Sequence, residues 1–334
     1  MSKSLIVLAV LIWTMRAAPA AEPVMPQLHL PLACTPGLDC WITNHVDLDA
    51  SSGVLDYACG KLTYDGHNGT DFAIRDRRAM RDGVAVLAAG AGIVRAIRDG
   101  EFDIDVRDRG LDAVKSRECG NGVRIEHDGG LQTQYCHLMR SSIAVRPGKR
   151  VEAGNVLGLV GLSGQTEYPH LHFTVRYQGR AVDPFFGLFP SSPCGGSMQT
   201  LWDSKTQNAL PYRPRVILNY GIAGEIPQAR AVREGQFRSR EVSSHAEVLA
   251  AWVEAFGASG GDTLEIQVLA PDGSTLLHQR ASIDRNQARI FRAVARKRGG
   301  QAWLAGSYAV RIALLPPGGG SDTASVVEFK AVVR

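Results

Sequence analysis

Two histidines, His170 and His172, stand two residues apart in the run EYPHLHFTVR, residues 167–176. The run reads as a β-strand, where residues i and i+2 share one face, so the two imidazoles project side by side. A second group, YDGHNGTDFAI, places His67 and Asp71 on either side of an Asn68-Gly69 turn and leads into an apolar strand. A third run, LQTQYCHL, carries His137 next to its end. Imidazole nitrogen and carboxylate oxygen are zinc donors, and a catalytic zinc keeps three protein ligands and one open position. His67, Asp71 and one histidine of the pair would complete that set. Such an ion lowers the pKa of bound water and polarises a carbonyl, while histidines beside it move protons and stabilise a tetrahedral intermediate. Each piece alone is a weak signal, since H-x-x-x-D arises by chance and H-x-H also suits a solvated polar face. Their occurrence together in one segment is more specific.

The elements that must hold these residues are strands. From about 61 to 190, short apolar runs alternate with glycine turns, as in VAVLAAG, GIVRAIRDG and GVRIEHDGG. These are hairpin signals and predict an antiparallel, twisted β-domain with almost no helix. Within it, residues 102–119 form a long charged insertion, read either as a loop bordering the cleft or as a solvated excursion. Residues 21–60 look irregular and read as a cysteine-containing N-terminal wrap. Residues 191–212 carry turn formers without a period and read as a linker. From 213 to 334, TLEIQVLAP and GSYAVRIALL alternate in the manner of half-buried strands. That pattern predicts a β-sandwich of immunoglobulin-like type, its role open. HAEVLAAWVEAF, 245–256, fits a helix or a strand pair equally.

The chain has 334 residues, enough for two domains. Its start, MSKSLIVLAVLIWTMRAAPA, has a basic end, an apolar run and an A-x-A site, which predicts a secretory signal peptide over residues 1–20. The formal charge of +4 includes Lys3 and Arg16 of that segment, leaving +2. This is too small to argue for a nucleic-acid partner. Six cysteines follow, all beyond residue 20, and an even number in an exported protein predicts disulfides. Cys34 and Cys40, which bracket the turn-forming TPGLD, are the first candidate pair. His29, His45, His245 and His278 lack metal-spaced partners and read as surface or packing residues, and His127 has a small claim to a supporting role.

The order H-x-x-x-D, then a hairpin strand ending Y-C-H-L, then P-H-L-H-F resembles the lysostaphin and LytM-type zinc metallopeptidases, metallopeptidase family twenty-three. GHNGTDFA, VLAAGAGIV, GNGVRIEH, PGKRVEAGNVLGLVG and the later VDPF are similar to that family's framework, over about residues 61–187. The resemblance implies that His67, Asp71 and His172 bind zinc and that His137 and His170 are the catalytic pair. It implies an exported, periplasmic or extracellular endopeptidase cutting peptide cross-links of peptidoglycan. Two alternatives are a non-catalytic activator of another wall hydrolase and a zinc protease acting on proteins. Family members that act as activators have lost ligands, whereas all five positions are filled here. Thr174 departs from the pattern, since many relatives carry an acidic residue there, and is expected to touch substrate fit. Cys136, next to His137, would restrain that strand if it were disulfide-bonded.

Overall fold

The computed structural model describes residues 25–334 apart from 191, 197, 198, 321 and 322, so the expected signal peptide lies outside the described residues. Among the described residues, no helix is long and apolar enough to cross a membrane. The chain is mainly β. Its first sheet contains β1 (Cys40–Asn44), β2 (Thr70–Ile74), β4 (Gly92–Arg98), β5 (Asn121–Glu126), β6 (Leu131–Leu138), β7 (Arg150–Val151), β9 (His170–Tyr177) and β10 (Arg180–Val182). Two further strands, β3 (Ala85–Leu87) and β8 (Val156–Leu159), pair with each other. The large sheet runs β1-β2-β9-β6-β5-β4-β7, with β10 also on β9, and every pairing in it is antiparallel.

Strand alternation sets the two faces of β9. Leu171, Phe173 and Val175 are fully buried in the core, while His170, His172 and Thr174 take the other face. Register then aligns four strands. Asn44 lies opposite Asp71, Asp71 opposite His172, and His172 opposite Cys136. Directly opposed residues have Cβ atoms about 5 Å apart, so this row brings side chains from distant parts of the sequence into contact.

Two stretches differ from their sequence reading. Residues 21–60 are not simply an irregular wrap, because CWITN forms edge strand β1 and Leu28 and Leu32 are buried in the first core. Residues 191–212 are not a free linker. Leu201, Trp202 and Leu210 are buried in the same core, and Ser204–Ala209 is a short helix capped by Asp203. The missing signal in both cases is periodicity: single anchors such as Trp202 dock without an amphipathic run to announce them.

The C-terminal part has a sheet of β11 (Val216–Ala223), β13 (Val248–Ala258) and β16 (Gln287–Lys297). A second sheet contains β12 (Glu241–Val242), β18 (Ser325–Val333), β17 (Gly306–Leu315), β14 (Thr263–Leu269) and β15 (Thr275–Ser282). Residues of both sheets share one apolar core, with Leu249, Val253, Ile266, Val310 and Ile312 at its centre. The ambiguous run 245–256 lies mostly in one long strand, β13, whose Leu249–Ala255 are all buried. Burial on both faces explains why it lacks the alternation that would mark a strand. The two parts meet through Trp41, Ala73, Val216, Leu218 and Phe256.

Six cysteines form three disulfides, Cys34–Cys40, Cys59–Cys194 and Cys119–Cys136. The first is the pair expected from the sequence. The third fastens the end of the 102–119 insertion to β6 beside His137.

Candidate metal centre

Three donor atoms converge at the middle of the Asn44–Cys136 row, where His67 joins Asp71 and His172. His67 Nε2 lies 3.2 Å from Asp71 Oδ1 and 3.1 Å from His172 Nδ1. His172 Nδ1 lies 2.8 Å from Asp71 Oδ1. A tetrahedral zinc with donors at about 2.0–2.2 Å separates them by about 3.3 Å, so the triangle is close to what the ion needs. His170 and His137 flank it. His170 Nε2 is 3.4 Å from Asp71 Oδ1, and the rings of His137 and His170 have centroids 4.7 Å apart.

Each histidine is held by the nitrogen that faces away from the centre. His67 Nδ1–H donates to the His45 carbonyl at 2.7 Å. His137 Nδ1–H donates to the Ser163 carbonyl at 2.7 Å. His170 Nδ1–H donates to the Tyr168 carbonyl at 2.9 Å. For His172 the roles are reversed, with Nε2–H facing Thr174 Oγ1 at 3.0 Å and Asn68 Oδ1 at 3.2 Å. An acceptor on one nitrogen fixes the tautomer and leaves the other nitrogen's lone pair for an ion or a proton. All four free nitrogens face the centre.

The backbone makes room for these rings. Gly69 follows His67 in the turn, and a Cβ there would lie 2.7 Å from the His172 ring. His137 sits at φ 63°, a left-handed conformation uncommon for a side chain other than glycine, and its amide donates to the Cys119 carbonyl. Strain of this kind persists where surrounding structure imposes it, here the disulfide and the Ser163 contact. Asp71 is oriented in turn by Asn44, whose Nδ2–H donates to Oδ2 at 2.9 Å.

Electrostatics favour the state a metal requires in Asp71 and His172, while in His67 the neighbouring carboxylate favours the proton that an ion would displace. Burial raises the Asp71 pKa, but His67 and His170, with hydrogen bonds from His170 and His172, outweigh it and hold the carboxyl well below its usual range. Burial, helped by His170 and His172, keeps His137 well below the ordinary histidine value. Burial also lowers His172. In His67, burial lowers the pKa but Asp71 reverses the shift and raises it.

The centre lines an open cleft with Tyr64, Glu118, Gln134, Gln165 and Arg176 around it. Glu118 and Cys119 put the end of the 102–119 insertion on the cleft wall. No residue of 25–60 lines this cleft. Instead Asp47 braces the turn before His67, accepting the Gly66 amide. Thr174 does face the cleft, yet its hydroxyl sits on His172 rather than only on the open floor. Of the other histidines, His127 bonds to the Ala91 carbonyl and to Thr133 Oγ1. His45 is buried, packing on Tyr57 and Phe185. Its carbonyl matters more to the centre than its ring.

Asn44, Tyr168 and the His45 and Ser163 carbonyls were not singled out from sequence. Backbone carbonyls have no sequence signature. Asn44 could have been found through CWITN, whose β-branched and aromatic residues mark a strand.

Residues 65–184 match the family described as peptidase family M23. That part of the chain belongs to the family. The chain is 34% identical over 124 residues to the peptidoglycan DD-endopeptidase ShyA of Vibrio cholerae, covering 37% of this chain and 23% of that relative. It is 33% identical over 112 residues to the DD-carboxypeptidase/endopeptidase Mpg of Neisseria meningitidis, covering 34% of this chain and 24% of that relative. The matched segment thus spans about a quarter of the length of these curated relatives. Among solved structures, a zinc-containing peptidase from Vibrio cholerae matches at 28% identity with a TM-score of 0.28, covering 42% of this chain and 39% of that one.

Proposed function

We propose that the chain is an exported zinc metalloendopeptidase that hydrolyses peptide cross-links of peptidoglycan. The observation that carries this reading is the triangle of His67 Nε2, Asp71 Oδ1 and His172 Nδ1, with every edge between 2.8 and 3.2 Å. The donor set of two neutral imidazoles and one carboxylate suits zinc, and the outer hydrogen bonds on both imidazoles present the correct lone pairs. Peptidoglycan as substrate, and export to reach it, rest on the M23 relatives, on three disulfides and on the signal-like N-terminus.

In this reading His67, Asp71 and His172 hold the ion. When bound, zinc supplies an activated water and polarises the scissile carbonyl. His170 Nε2, fixed by the Tyr168 carbonyl, faces the same space and takes a proton from the attacking water. His137, whose Nδ1–H is held by the Ser163 carbonyl and which burial keeps neutral, presents the Nε2 lone pair, which accepts a proton during turnover and delivers it to the leaving amine. The peptide lies along the cleft floor formed by Gln134, Thr174 and Arg176. We take the catalytic unit to extend over 25–212 and the two C-terminal sheets to form an immunoglobulin-like sandwich. The activator alternative is disfavoured by the intact set of five side chains.

The test is a matched pair. The mature protein and its His170→Ala variant are incubated with purified sacculi and with a denatured protein, zinc is quantified in both, and products are analysed by mass spectrometry. The expected result is cross-link cleavage by the parent alone, with zinc retained in the variant. A parent that binds zinc and cuts neither substrate would sink the reading in favour of the activator. Cleavage of the denatured protein alone would favour the protein-directed protease.

A further inference from the structure

His170 is held by Tyr168 and by Thr166, whose Oγ1 lies 3.1 Å from His170 Nδ1 and donates to the Tyr168 carbonyl at 2.9 Å. The two rings stack with centroids 4.6 Å apart and planes 26° apart. The Tyr168 carbonyl also accepts His170 Nδ1–H. Tyr168 therefore sets the plane of the histidine by stacking and shares with Thr166 the fixing of its tautomer. The phenol is bound in turn to Thr43 Oγ1 at 3.0 Å and receives Asn44 Nδ2–H at 3.3 Å. Asn44 is the residue that orients Asp71.

Two further neighbours of the Tyr168 ring come from outside the M23 stretch. Phe256 lies 4.9 Å from it, centroid to centroid. The Arg289 guanidinium lies 5.5 Å from the Tyr168 ring and 5.4 Å from the Phe256 ring. Phe256 on β13 and Arg289 on β16 are direct cross-strand partners. Arg289 is an unusual choice for so enclosed a place, with its side chain only 13% exposed. It shares fully buried Glu254 with Arg233, both at 2.7 Å, so two cations meet one carboxylate. Its Nη1 finds no acceptor among the described residues. An aromatic face is the remaining favourable surface for such a cation, and desolvation strengthens that attraction.

We infer that the C-terminal unit is a positioning element of the catalytic centre: the Phe256–Arg289 pair clamps Tyr168, and Tyr168 sets the plane of His170. This rests on the reading of His170 as a proton-transfer residue. The clamp joins the two units at the residue that most directly fixes His170. The C-terminal sheets then act on turnover without touching substrate.

The experiment uses the full mature chain, zinc-loaded, as parent, Arg289→Met, Arg289→Lys and Phe256→Leu. Methionine and leucine keep the interface filled, so folding is preserved while the cation or the aromatic contact is lost. A displaced catalytic group lowers kcat, and the expected loss in Arg289→Met is about ten- to hundred-fold. KM should stay within about two-fold, because ground-state binding is untouched. Zinc content should equal the parent's, and Arg289→Lys should recover part of kcat by restoring a charge beside the ring. A second readout does not depend on turnover. The ring proton resonances of His170, assigned by their loss in His170→Ala, should be shifted upfield by the stacked tyrosine in the parent and move back in Arg289→Met and Phe256→Leu. Parent-like kcat together with unmoved His170 resonances in both variants would overturn the inference. If the parent itself shows no turnover, the endopeptidase reading fails, and the resonances alone decide the clamp: moved supports it, unmoved refutes it.

Discussion

Thr174 Oγ1 lies 3.0 Å from His172 Nε2, on the side of the ring opposite Asp71. Thr174 thus supports the ring of a proposed zinc ligand, and among the described residues Asn68 Oδ1 is its only companion there at 3.2 Å. Partners that fix a ligating histidine typically govern metal affinity by about 10- to 100-fold. The Thr174→Val, Asn68→Ala double variant should therefore bind zinc about 10- to 100-fold more weakly while folding normally. Competition titration against a chelator measures this directly. Unchanged affinity would show that the ring is held by strand packing alone.

Trp202 should be a cornerstone of the M23 part although it lies beyond the matched stretch. It is 1% exposed, stacks on Phe173 at 5.6 Å, and packs edge-on against Phe72 and Phe185. Phe173 separates His172 from Thr174 on β9, so the indole supports the strand from beneath. Trp202→Ala should cost about 3–5 kcal/mol of unfolding free energy. Urea denaturation followed by circular dichroism reads it. A loss under about 1 kcal/mol would mean that residues 201–210 only rest on the core.

The legible part of this protein is what lies close in sequence. His67 and Asp71 are four residues apart, and His170 and His172 two, so local geometry alone predicts that each pair shares a face or a turn. Bringing Asp71 opposite His172 requires the β2–β9 register, which no short run of sequence announces. The same holds for Asn44, supplied by an edge strand in a segment rich in turn formers. Trp202 escaped notice because it stands alone among loop residues. Tyr168 was in plain view beside His170, yet its importance comes from Phe256 and Arg289, about 90 and 120 residues later. Chemistry was readable from residue types, while the supports of that chemistry are long-range contacts and backbone carbonyls.

The Cys119–Cys136 bridge should matter for both stability and turnover. It closes a loop of 17 residues next to His137. Chain-entropy reasoning gives about 3 kcal/mol for a loop of that size. The Cys119→Ser, Cys136→Ser double variant should lose roughly that much stability, seen by thermal melting. Its kcat should fall too, because the Cys119 carbonyl that receives the His137 amide is no longer tethered. The unreduced parent should show no reactive thiol, consistent with the absence of free cysteines among the described residues. Labelling of Cys136 in that sample would contradict the bridge.

Asp183, in the V-D-P-F turn after β10, predicts a pH-dependent stability. It is 2% exposed, one oxygen accepts the amides of Phe185 and Phe186, the Val46 amide also favours its charged form, and Oδ2 makes no well-formed hydrogen bond among the described residues. Burial pushes its pKa from 3.8 up to about 7, against the pull of those amides. In the folded chain the carboxyl therefore keeps its proton at a pH where the unfolded chain has released it. A group with a raised folded pKa contributes stability that is fully present below 3.8 and lost as pH rises through about 7. The shift corresponds to a contribution on the order of 4 kcal/mol at its upper bound. Asp183→Asn imitates the protonated carboxyl at every pH, and its amide oxygen can still accept from Phe185 and Phe186. Between pH 5 and 8 the parent should lose stability relative to this variant, with the difference growing across the window. Parallel denaturation series of the two proteins isolate the term from every other titrating group. Curves that run parallel through neutrality would place the Asp183 proton loss well below pH 5 and show that the amides overcome burial.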